Sequence, residues 1–398
     1  MPTSGDLKPP GVDVAWAKSW PMQPGLQTHW LPLWQHLDDS LGVAGWLWDT
    51  WVTLATRRLI GDAFPGGEDD GRTALMWLAG MHDVGKASPP FAHQVPCLAN
   101  RMVRAGLPGR PTVKPSELRH EVVSAWALRD WLNARGWSRR QSAQFCCLLA
   151  AHHGYFLQES ARPGLKAGNA GWAEVRNYLL DRAAHASGAL ERLPDWQAVT
   201  LPQAVQMQLS ALVVMADWMA SSDHFPLLPL EQLSPCPPAV GDAGRMRRGT
   251  DGIDLGGIWH PRPAAPDPVE AFKLRFPEIS TPRPLQSKAA EAAALMDAPG
   301  LMIIEGPMGV GKTEAALIAA ETMAARSGCR GVFVALPTQA TTDAMFSRVH
   351  QWLDRVAEDQ SGGALSLSLV HGKAALNSEF QTLRWRSHSP VYEDASSG

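Results

Sequence analysis

The sequence predicts a mainly α-helical domain followed by an incomplete α/β P-loop lobe. Apolar residues at helical spacing dominate from about residue 28 to 225. Residues 226–284 then hold 12 of the chain's 32 prolines, a density that excludes long helices. From about residue 285, short apolar runs alternate with helical segments, which is typical of a parallel sheet with crossover helices. We therefore expect a helical domain over 1–225, a connector over 226–284 and the first part of an α/β lobe over 285–398.

Composition limits the classes of protein that the chain can belong to. With 398 residues and 45% hydrophobic content, it is long enough for two domains with their own cores. The net charge of −3 gives no global basic field, so any DNA-binding surface has to be local. The five cysteines have no CxxC spacing, which argues against a zinc knuckle and for a reducing compartment. There is no apolar signal segment or membrane-spanning run, and we expect a cytoplasmic protein without membrane contact.

Five helices are expected in the first part, and each carries or borders a histidine or an aspartate. They are expected near Trp30–Leu54, over Arg72–Met81, from an N-cap at Ser116 to Ala134, over Arg139–His153, and from about Pro202 to Ser221. Gly85, Gly136 and Gly154 follow three of these segments and are expected to end them.

The dipeptide His82–Asp83, within MHDVGKA, is the most informative feature of the helical part. An HD pair alone is common, but further candidates follow in or beside apolar helices. The full set is His36, His82, Asp83, His120, His152, His153 and Asp217. Leaving a buried imidazole without a hydrogen-bond partner costs roughly 1–3 kcal/mol. Any one of these residues, taken alone, is therefore more often a hydrogen-bonded core residue than a metal ligand. Their order along the chain favours a shared metal site, and imidazole ligands favour ions of the Mn, Fe, Co or Ni class over Mg²⁺.

Three residues of this motif are predicted to act in catalysis: His82, Asp83 and Lys86. A carboxylate such as that of Asp83 can bridge two ions, and a pair roughly 3.5–4 Å apart suits phosphodiester hydrolysis. Lys86, one turn further on, can meet a non-bridging phosphate oxygen or the leaving group. Ser221 lies one turn after Asp217, where it can orient that carboxylate.

The segment GPMGVGKT, Gly306–Thr313, matches the phosphate-binding P-loop in full. We expect the backbone at Gly306, Gly309 and Gly311 to cradle phosphates, Lys312 to reach the β- and γ-phosphates, and Thr313 to hold Mg²⁺. ATP with Mg²⁺ is therefore a predicted cofactor. Gln286, twenty residues earlier in TPRPLQ, can read an adenine edge, although the signal is weak alone.

Around the P-loop, strands are expected over Leu301–Ile304, Gly331–Leu336 and Leu365–Val370. Helices are expected over Lys312–Arg326 and Thr341–Val356. No acidic Walker-B pair follows an apolar strand, so the lobe lacks a residue that ATP hydrolysis requires.

These parts, in this order, resemble the CRISPR-associated HD nuclease–superfamily 2 helicases of type I interference, in their N-terminal portion. The matching features are HD-x-x-K, the HH pair, the later Asp217, the Gln of TPRPLQ, GPMGVGKT, ALPTQAT and LVHGKA. The resemblance implies an HD-superfamily domain followed by a RecA-like lobe. It also implies cleavage of single-stranded DNA with two transition-metal ions, ATP-driven 3′-to-5′ translocation, and recruitment by the crRNA-guided surveillance complex in antiviral defence.

The same resemblance assigns the ligands of each ion. The first ion would take His36, His82, Asp83 and Asp217. The second would share Asp83 and take His120, His152 and His153.

Two other functions stay open at this point. An HD phosphohydrolase of small nucleotides would use the same ligands, although the attached P-loop lobe disfavours it. An ATP-binding docking module without catalysis would need no metal in the helical part.

Overall fold

The computed structural model describes residues 8–21, 25–107, 109, 111–153, 162–253, 255, 259–261, 267–296, 300–358, 365–374 and 377–381. The chain divides into two compact units, Met1–Asp254 and Leu255–Gly398. The mainly helical character of the first unit confirms the predicted fold class.

In the described residues, the first unit consists of helices and one small sheet. Its α-helices are α1 Leu33–Thr50, α2 Leu54–Gly61, α3 Glu68–Ala79, α4 Pro89–Ala92, α5 Pro96–Arg104, α6 His120–Asn133, α7 Arg139–Ala150, α8 Ala170–Ser187, α9 Leu193–Trp196, α10 Gln203–Ala220 and α11 Ala243–Asp251. The strands are β1 Trp16–Trp20, β2 His29–Pro32 and β3 Leu228–Pro229, paired antiparallel in the order β1–β2–β3. Helix α1 packs against α3 and α10, and α6 packs against α7. This packing brings together the helix ends that carry the predicted ligands.

The first predicted helix begins later than expected. Residues His29–Pro32 form β2, which pairs with β1 on one side and β3 on the other, so the helix begins at Leu33. Pro32 precedes the first turn, where a missing backbone N–H costs nothing. The helix ends at Thr50, and Thr53 caps a separate helix through its hydroxyl, which accepts from the Thr56 N–H.

The predicted N-cap at Ser116 is wrong. Helix α6 begins at His120, and the preceding Lys114–Leu118 segment is a separate turn. A tertiary contact holds this start, because the backbone N–H of Gly85 donates to Ser124 Oγ at 2.8 Å. His120 is therefore the first helical residue, not a residue of the second turn.

The other predicted helices lie close to their expected bounds. Helix α7 begins after a Ser138–Gln141 capping box and ends at Ala150, so His152 and His153 lie in the turn that follows it. The stop expected at Gly154 lies outside the described residues. Helix α10 begins directly after Pro202, as predicted.

The stretch predicted as a connector is divided between the two units. Leu228 and Pro229 pair with β2, and Arg245 of α11 is buried against Asp39 of α1 with its guanidinium 2.9 Å from the carboxylate. The boundary between the units falls after Asp254. Much of the proline-rich stretch therefore belongs to the first unit.

In the second unit, four of the described α-helices pack through one apolar cluster. They are α12 Pro268–Arg275, α13 Pro284–Leu295, α14 Lys312–Ser327 and α15 Gln339–Glu358. Phe272, Ile318 and Trp352 are among the buried residues of the cluster. The two predicted helices after the P-loop are confirmed to within two residues.

The predicted strands of this unit are not formed among its described residues. Leu301–Ile304 and Gly331–Leu336 are unpaired, and of Leu365–Val370 only the first residue makes a bridge. The first two segments have side chains open to solvent, with Leu301 86% and Phe333 88% exposed. A strand requires a hydrogen-bonded neighbour, and the described residues supply none to the first two segments. Across the described part of the chain, no helix is long and apolar enough to cross a membrane.

Candidate metal centre

All seven predicted ligand residues meet in the first unit. They form two groups. Within each group, the ligand atoms lie within 4.8 Å of one another. The first group is His36, His82, Asp83 and Asp217, and the second is His120, His152 and His153. They come from α1, the turn after α3, the first residue of α6, the turn after α7, and the last turns of α10. Residues far apart in the sequence are therefore brought to one centre.

Asp83 joins the two groups through its two carboxylate oxygens. Its Oδ2 lies 3.1 Å from His36 Nε2 and 3.4 Å from His82 Nε2. Its Oδ1 lies 3.1 Å from His120 Nε2 and 3.3 Å from His152 Nε2. Each oxygen therefore faces a different group of imidazoles, which is the arrangement of a bridging ligand.

Asp217 completes the first group. Its Oδ1 lies 3.3 Å from His36 Nε2 and 3.4 Å from His82 Nε2. The hydroxyl of Ser221 donates to the same oxygen at 3.1 Å, so the predicted orienting contact is present.

Two of the imidazoles are fixed by the helix ends that precede them. His82 Nδ1 donates to the Ala79 carbonyl at 2.8 Å, and His152 Nδ1 donates to the Leu149 carbonyl at 2.6 Å. Both carbonyls lie in the last turn of a helix, where backbone acceptors lack an intrahelical partner. With a proton held on Nδ1, each ring directs its Nε2 towards Asp83.

The atoms at the centre have the properties expected of a cation site. Among the described residues, His82 Nε2, His152 Nε2 and Asp83 Oδ1 are buried and have no hydrogen-bond partner of good geometry. Leaving such atoms unsatisfied costs roughly 1–3 kcal/mol each. Five imidazoles and two carboxylates form a donor set that suits divalent transition metals. The residues present therefore fit a pair of such ions.

Electrostatics keeps both carboxylates ionised. Burial opposes ionisation of Asp83, but the positive charges of Lys86 and His82 outweigh it and hold its pKa well below the usual range. Burial also opposes ionisation of Asp217, and His82 and His36 hold its pKa well below the usual range. Burial likewise disfavours protonation of His82, yet the two carboxylates overcome this and raise its pKa to about 10.

In the second group, two of the histidines have lowered pKa values. Burial lowers the pKa of His120, despite the nearby Asp83. Burial and the neighbouring His152 and His120 lower the pKa of His153 to about 4. These two rings are therefore neutral near pH 7, the form in which imidazole binds a metal.

The centre is closed on one side and open on the other. His36, His82 and His152 are buried, at 0–1% exposure. The side chain of His120 is 17% exposed, that of Asp217 is 14% exposed, and His153 is exposed. Among the described residues, the centre is therefore accessible from the side of His120, His153 and Asp217.

Lys86 and an aromatic residue that the sequence did not suggest lie at this opening. Lys86 Nζ is 2.6 Å from Asp83 Oδ2 and 5.4 Å from the ring centroid of Phe91. The Phe91 ring lies 5.7 Å from that of His120 and 4.5 Å from that of Trp16. The only sequence signal was the Ser-Pro-Pro-Phe run after Lys86, which predicts a short rigid turn that returns an aromatic ring towards the lysine.

The P-loop in the second unit has the backbone its motif requires. Gly309 and Gly311 have φ values of 77° and 89°, a region that glycine adopts without strain. Lys312 Nζ donates to the carbonyls of Gly306 and Pro307 at 2.7 and 2.8 Å.

Gln286 contacts this loop from α13. It is 2% exposed, its side-chain amide donates to the Gly311 carbonyl at 3.3 Å, and its oxygen accepts from the Arg283 N–H at 2.9 Å. The Arg283 guanidinium also donates to the Gly309 carbonyl. In this structure Gln286 positions the P-loop, and its reading of an adenine edge stays a prediction.

Comparison with known proteins identifies the family. The family model described as "Cas3, HD domain" matches residues 16–226, which include all seven ligand candidates. The chain belongs to the Cas3 HD family. It is 29% identical over 403 residues to the CRISPR-associated nuclease/helicase Cas3 of Streptococcus thermophilus, covering 92% of this chain and 41% of that relative. The chain thus spans about two-fifths of the length of this Cas3 relative.

Solved structures that resemble this chain support the same family assignment. The crystal structure of T. fusca Cas3 with AMPPNP matches with a TM-score of 0.69 and 26% identity, covering 92% of this chain and 40% of that chain. A chain in a structure described as a CRISPR RNA-guided surveillance complex, pre-nicking, matches with a TM-score of 0.56 and 25% identity, covering 84% of this chain and 37% of that chain. The mainly α HD domain followed by a RecA-like lobe is therefore the fold of Cas3 proteins.

Proposed function

We propose that this chain is a metal-dependent nuclease that cleaves single-stranded DNA in CRISPR antiviral defence. The observation that supports it most is the position of Asp83, whose two oxygens face two separate groups of imidazoles at 3.1–3.4 Å. Such a carboxylate is what a two-ion phosphodiesterase needs at its centre.

The residues would divide the work as follows. His36, His82, Asp83 and Asp217 would hold one ion, and Asp83, His120, His152 and His153 would hold the other. Two ions of the Mn, Fe, Co or Ni class, once bound there, would lower the pKa of a water molecule and offset negative charge on the phosphoryl oxygens. The buried residues fix the positions of the ligands, and the open side admits the strand. Lys86, at that opening, would contact a non-bridging phosphate oxygen or the leaving group.

The P-loop unit supports coupling to nucleotide binding. Gly306, Gly309, Gly311, Lys312 and Thr313 would hold ATP with Mg²⁺, and Gln286 would contact the nucleotide or its loop. The Cas3 relative is called a nuclease/helicase, and a structural neighbour is part of a CRISPR RNA-guided surveillance complex. We therefore infer that ATP-driven 3′-to-5′ translocation belongs to the longer relatives and that the crRNA-guided complex is the partner that delivers the strand.

Cleavage of a circular single-stranded DNA in the presence of Mn²⁺ tests this function. The parent chain should cut the circle, and chelation by EDTA should stop it. The double variant His82→Ala/Asp83→Ala should lose activity by about a thousandfold or more, because it removes the bridging ligand and a ligand fixed by α3. A matched control, His185→Ala/Asp195→Ala, changes an exposed histidine and an exposed aspartate of the same unit and should cut like the parent.

Three outcomes would contradict the proposal. A double variant that cuts as well as the parent would show that the chemistry lies elsewhere. Hydrolysis of nucleotides or cyclic dinucleotides with polynucleotides untouched would favour a small-nucleotide phosphohydrolase. Absence of bound metal and of cleavage with Mn²⁺, Co²⁺ or Ni²⁺ would favour a non-catalytic docking module.

A further inference from the structure

Lys86 occupies an oxygen that the proposed function assigns to a metal ion. Its Nζ lies 2.6 Å from Asp83 Oδ2, the same oxygen that lies 3.1 Å from His36 Nε2. The side chains of Lys86 and Asp83 are only 11% and 2% exposed, so solvent screens this region poorly. An ammonium group and a divalent cation at one buried oxygen repel each other. Lys86 therefore has to leave Asp83 Oδ2 when a cation takes that position.

Phe91 offers Lys86 a second partner at the opening of the site. The ammonium group already lies over the Phe91 ring, 5.4 Å from its centroid, and the face of an aromatic ring attracts a cation. The ring is held in place, because it packs 4.5 Å from Trp16, whose indole N–H donates to the Ala92 carbonyl at 3.2 Å. It also lies beside His120, a residue of the open side. A lysine held on this ring stays where a phosphate would arrive.

We propose that Lys86 is a displaceable counter-cation of Asp83, and that Phe91 is the positioning residue that receives its ammonium group when a metal ion binds. The inference rests on the proposed function only in its last step, the contact between Lys86 and a phosphodiester. Its first step, competition for Asp83 Oδ2, concerns metal binding alone. The two can therefore fail separately.

The affinity of the full chain for Mn²⁺, measured by calorimetry without DNA, tests the role of Lys86. Lys86→Met removes the competing charge and should bind Mn²⁺ about tenfold or more tightly than the parent. Lys86→Arg keeps the charge and should bind like the parent. Lys288→Met removes an exposed lysine from the second unit and should also leave the affinity unchanged. Lys86→Gln serves as a second neutral variant if the methionine variant does not fold. A folded neutral variant with parental affinity would overturn the proposal.

A fluorinated phenylalanine series at position 91 tests the role of the ring. Mono-, di- and trifluorophenylalanine keep nearly the same volume but progressively weaken the attraction of the ring face for a cation. The affinity for Mn²⁺ should fall stepwise, by about fivefold across the series, because the displaced Lys86 loses its partner. The same series in the Lys86→Met background should be flat. Equal affinities across the series with Lys86 present would overturn the assignment of Phe91.

DNA cleavage at saturating Mn²⁺ then separates this inference from the proposed function. A parent chain that binds Mn²⁺ but cuts no DNA would refute the nuclease proposal, while the affinity comparisons would still decide the roles of Lys86 and Phe91. A parent that cuts DNA, together with a Lys86→Met variant of unchanged affinity, would refute the present inference alone.

Discussion

His82 shows how one residue couples metal binding to protons. Its ring is buried between Asp83 and Asp217, and these carboxylates outweigh the effect of burial and raise its pKa to about 10. In the metal-free protein the folded-state pKa is above the ordinary value of about 6.5. The stability that the protonated ring contributes is therefore fully present below about pH 6.5 and is lost as the pH rises through about 10. A cation that binds His82 Nε2 has to displace this proton.

We therefore predict that the affinity for Mn²⁺ rises with pH between 6 and 8. For each proton released, the association constant should increase about tenfold per pH unit over this range. Calorimetry in buffers of different ionisation enthalpy should report the proton release directly. Removing both carboxylates, in Asp83→Asn/Asp217→Asn, should abolish it together with tight binding. An affinity independent of pH would show that His82 is not protonated before the metal binds.

The meeting of the candidate ligands at one centre could be predicted from the sequence because most of their signals are local. The HD pair, the HH pair and Asp217 each lie at the end of an apolar helix. Few residues other than ligands are both polar and buried in such a position. Phe91 has no comparable signal, because its position at the opening depends on packing against Trp16, 75 residues earlier. The same limit applies to Gln286, whose side-chain amide contacts the P-loop at the Gly311 carbonyl only once the unit is folded.

At the scale of secondary-structure elements, the turn that carries Asp83 is held against the first turn of α6. The two segments pack at Gly85, where a Cβ atom would overlap the carbonyl oxygen of His120 and the backbone nitrogen of Ser124. The Gly85 N–H also donates to Ser124 Oγ. The separation of Asp83 from His120, and with it the second ligand group, therefore depends on a glycine at this position.

Gly85→Ala should destabilise the first unit and loosen the metal centre. Because the methyl group meets backbone atoms rather than a flexible side chain, we expect a loss of about 1–3 kcal/mol in the free energy of unfolding and a fall in Mn²⁺ affinity. Urea denaturation of the metal-free chain and calorimetry measure the two effects.

Gly171→Ala is the matched control for this substitution. At Gly171, in the first turn of α8, the nearest atom to a new Cβ is 3.6 Å away. That variant should be as stable as the parent or slightly more so, because alanine is the better helix former. If Gly85→Ala behaved like this control, the close contact would not hold the centre together.

The elements that the sequence mispredicted depend on distant partners. Trp30 looks helical from its apolar neighbours, but it pairs with Leu228, almost 200 residues later. Phe333 lies in an apolar run that predicts a buried strand, yet it is 88% exposed and unpaired among the described residues. Helices form from contacts along one segment, whereas strands require a partner that local pattern does not specify.

At the scale of the whole molecule, the first unit includes part of the stretch that composition assigned to a connector. Arg245 donates to Asp39 at 2.9–3.0 Å and to the Pro226 carbonyl at 3.0 Å, and both members of the ion pair are buried. Burial raises the pKa of Asp39, and Arg245 counteracts this effect. Asp39 lies three residues after His36 on α1, so the helix that carries this candidate metal ligand is stabilised by α11.

This arrangement predicts where the chain can be divided. A polypeptide of residues 1–254 should fold, bind Mn²⁺ within about twofold of the full chain, and retain the pH dependence of that binding. A shorter polypeptide of residues 1–225 ends at the boundary suggested by composition. It lacks β3 and Arg245 and leaves Asp39 buried without its partner. Breaking a buried ion pair in this way costs about 3–5 kcal/mol, which corresponds to a melting temperature lower by about 10 °C or more. Thermal unfolding of the two fragments measures the difference, and Arg245→Met within 1–254 should reproduce most of it. Equal stability of the two fragments would show that the proline-rich stretch is a connector after all.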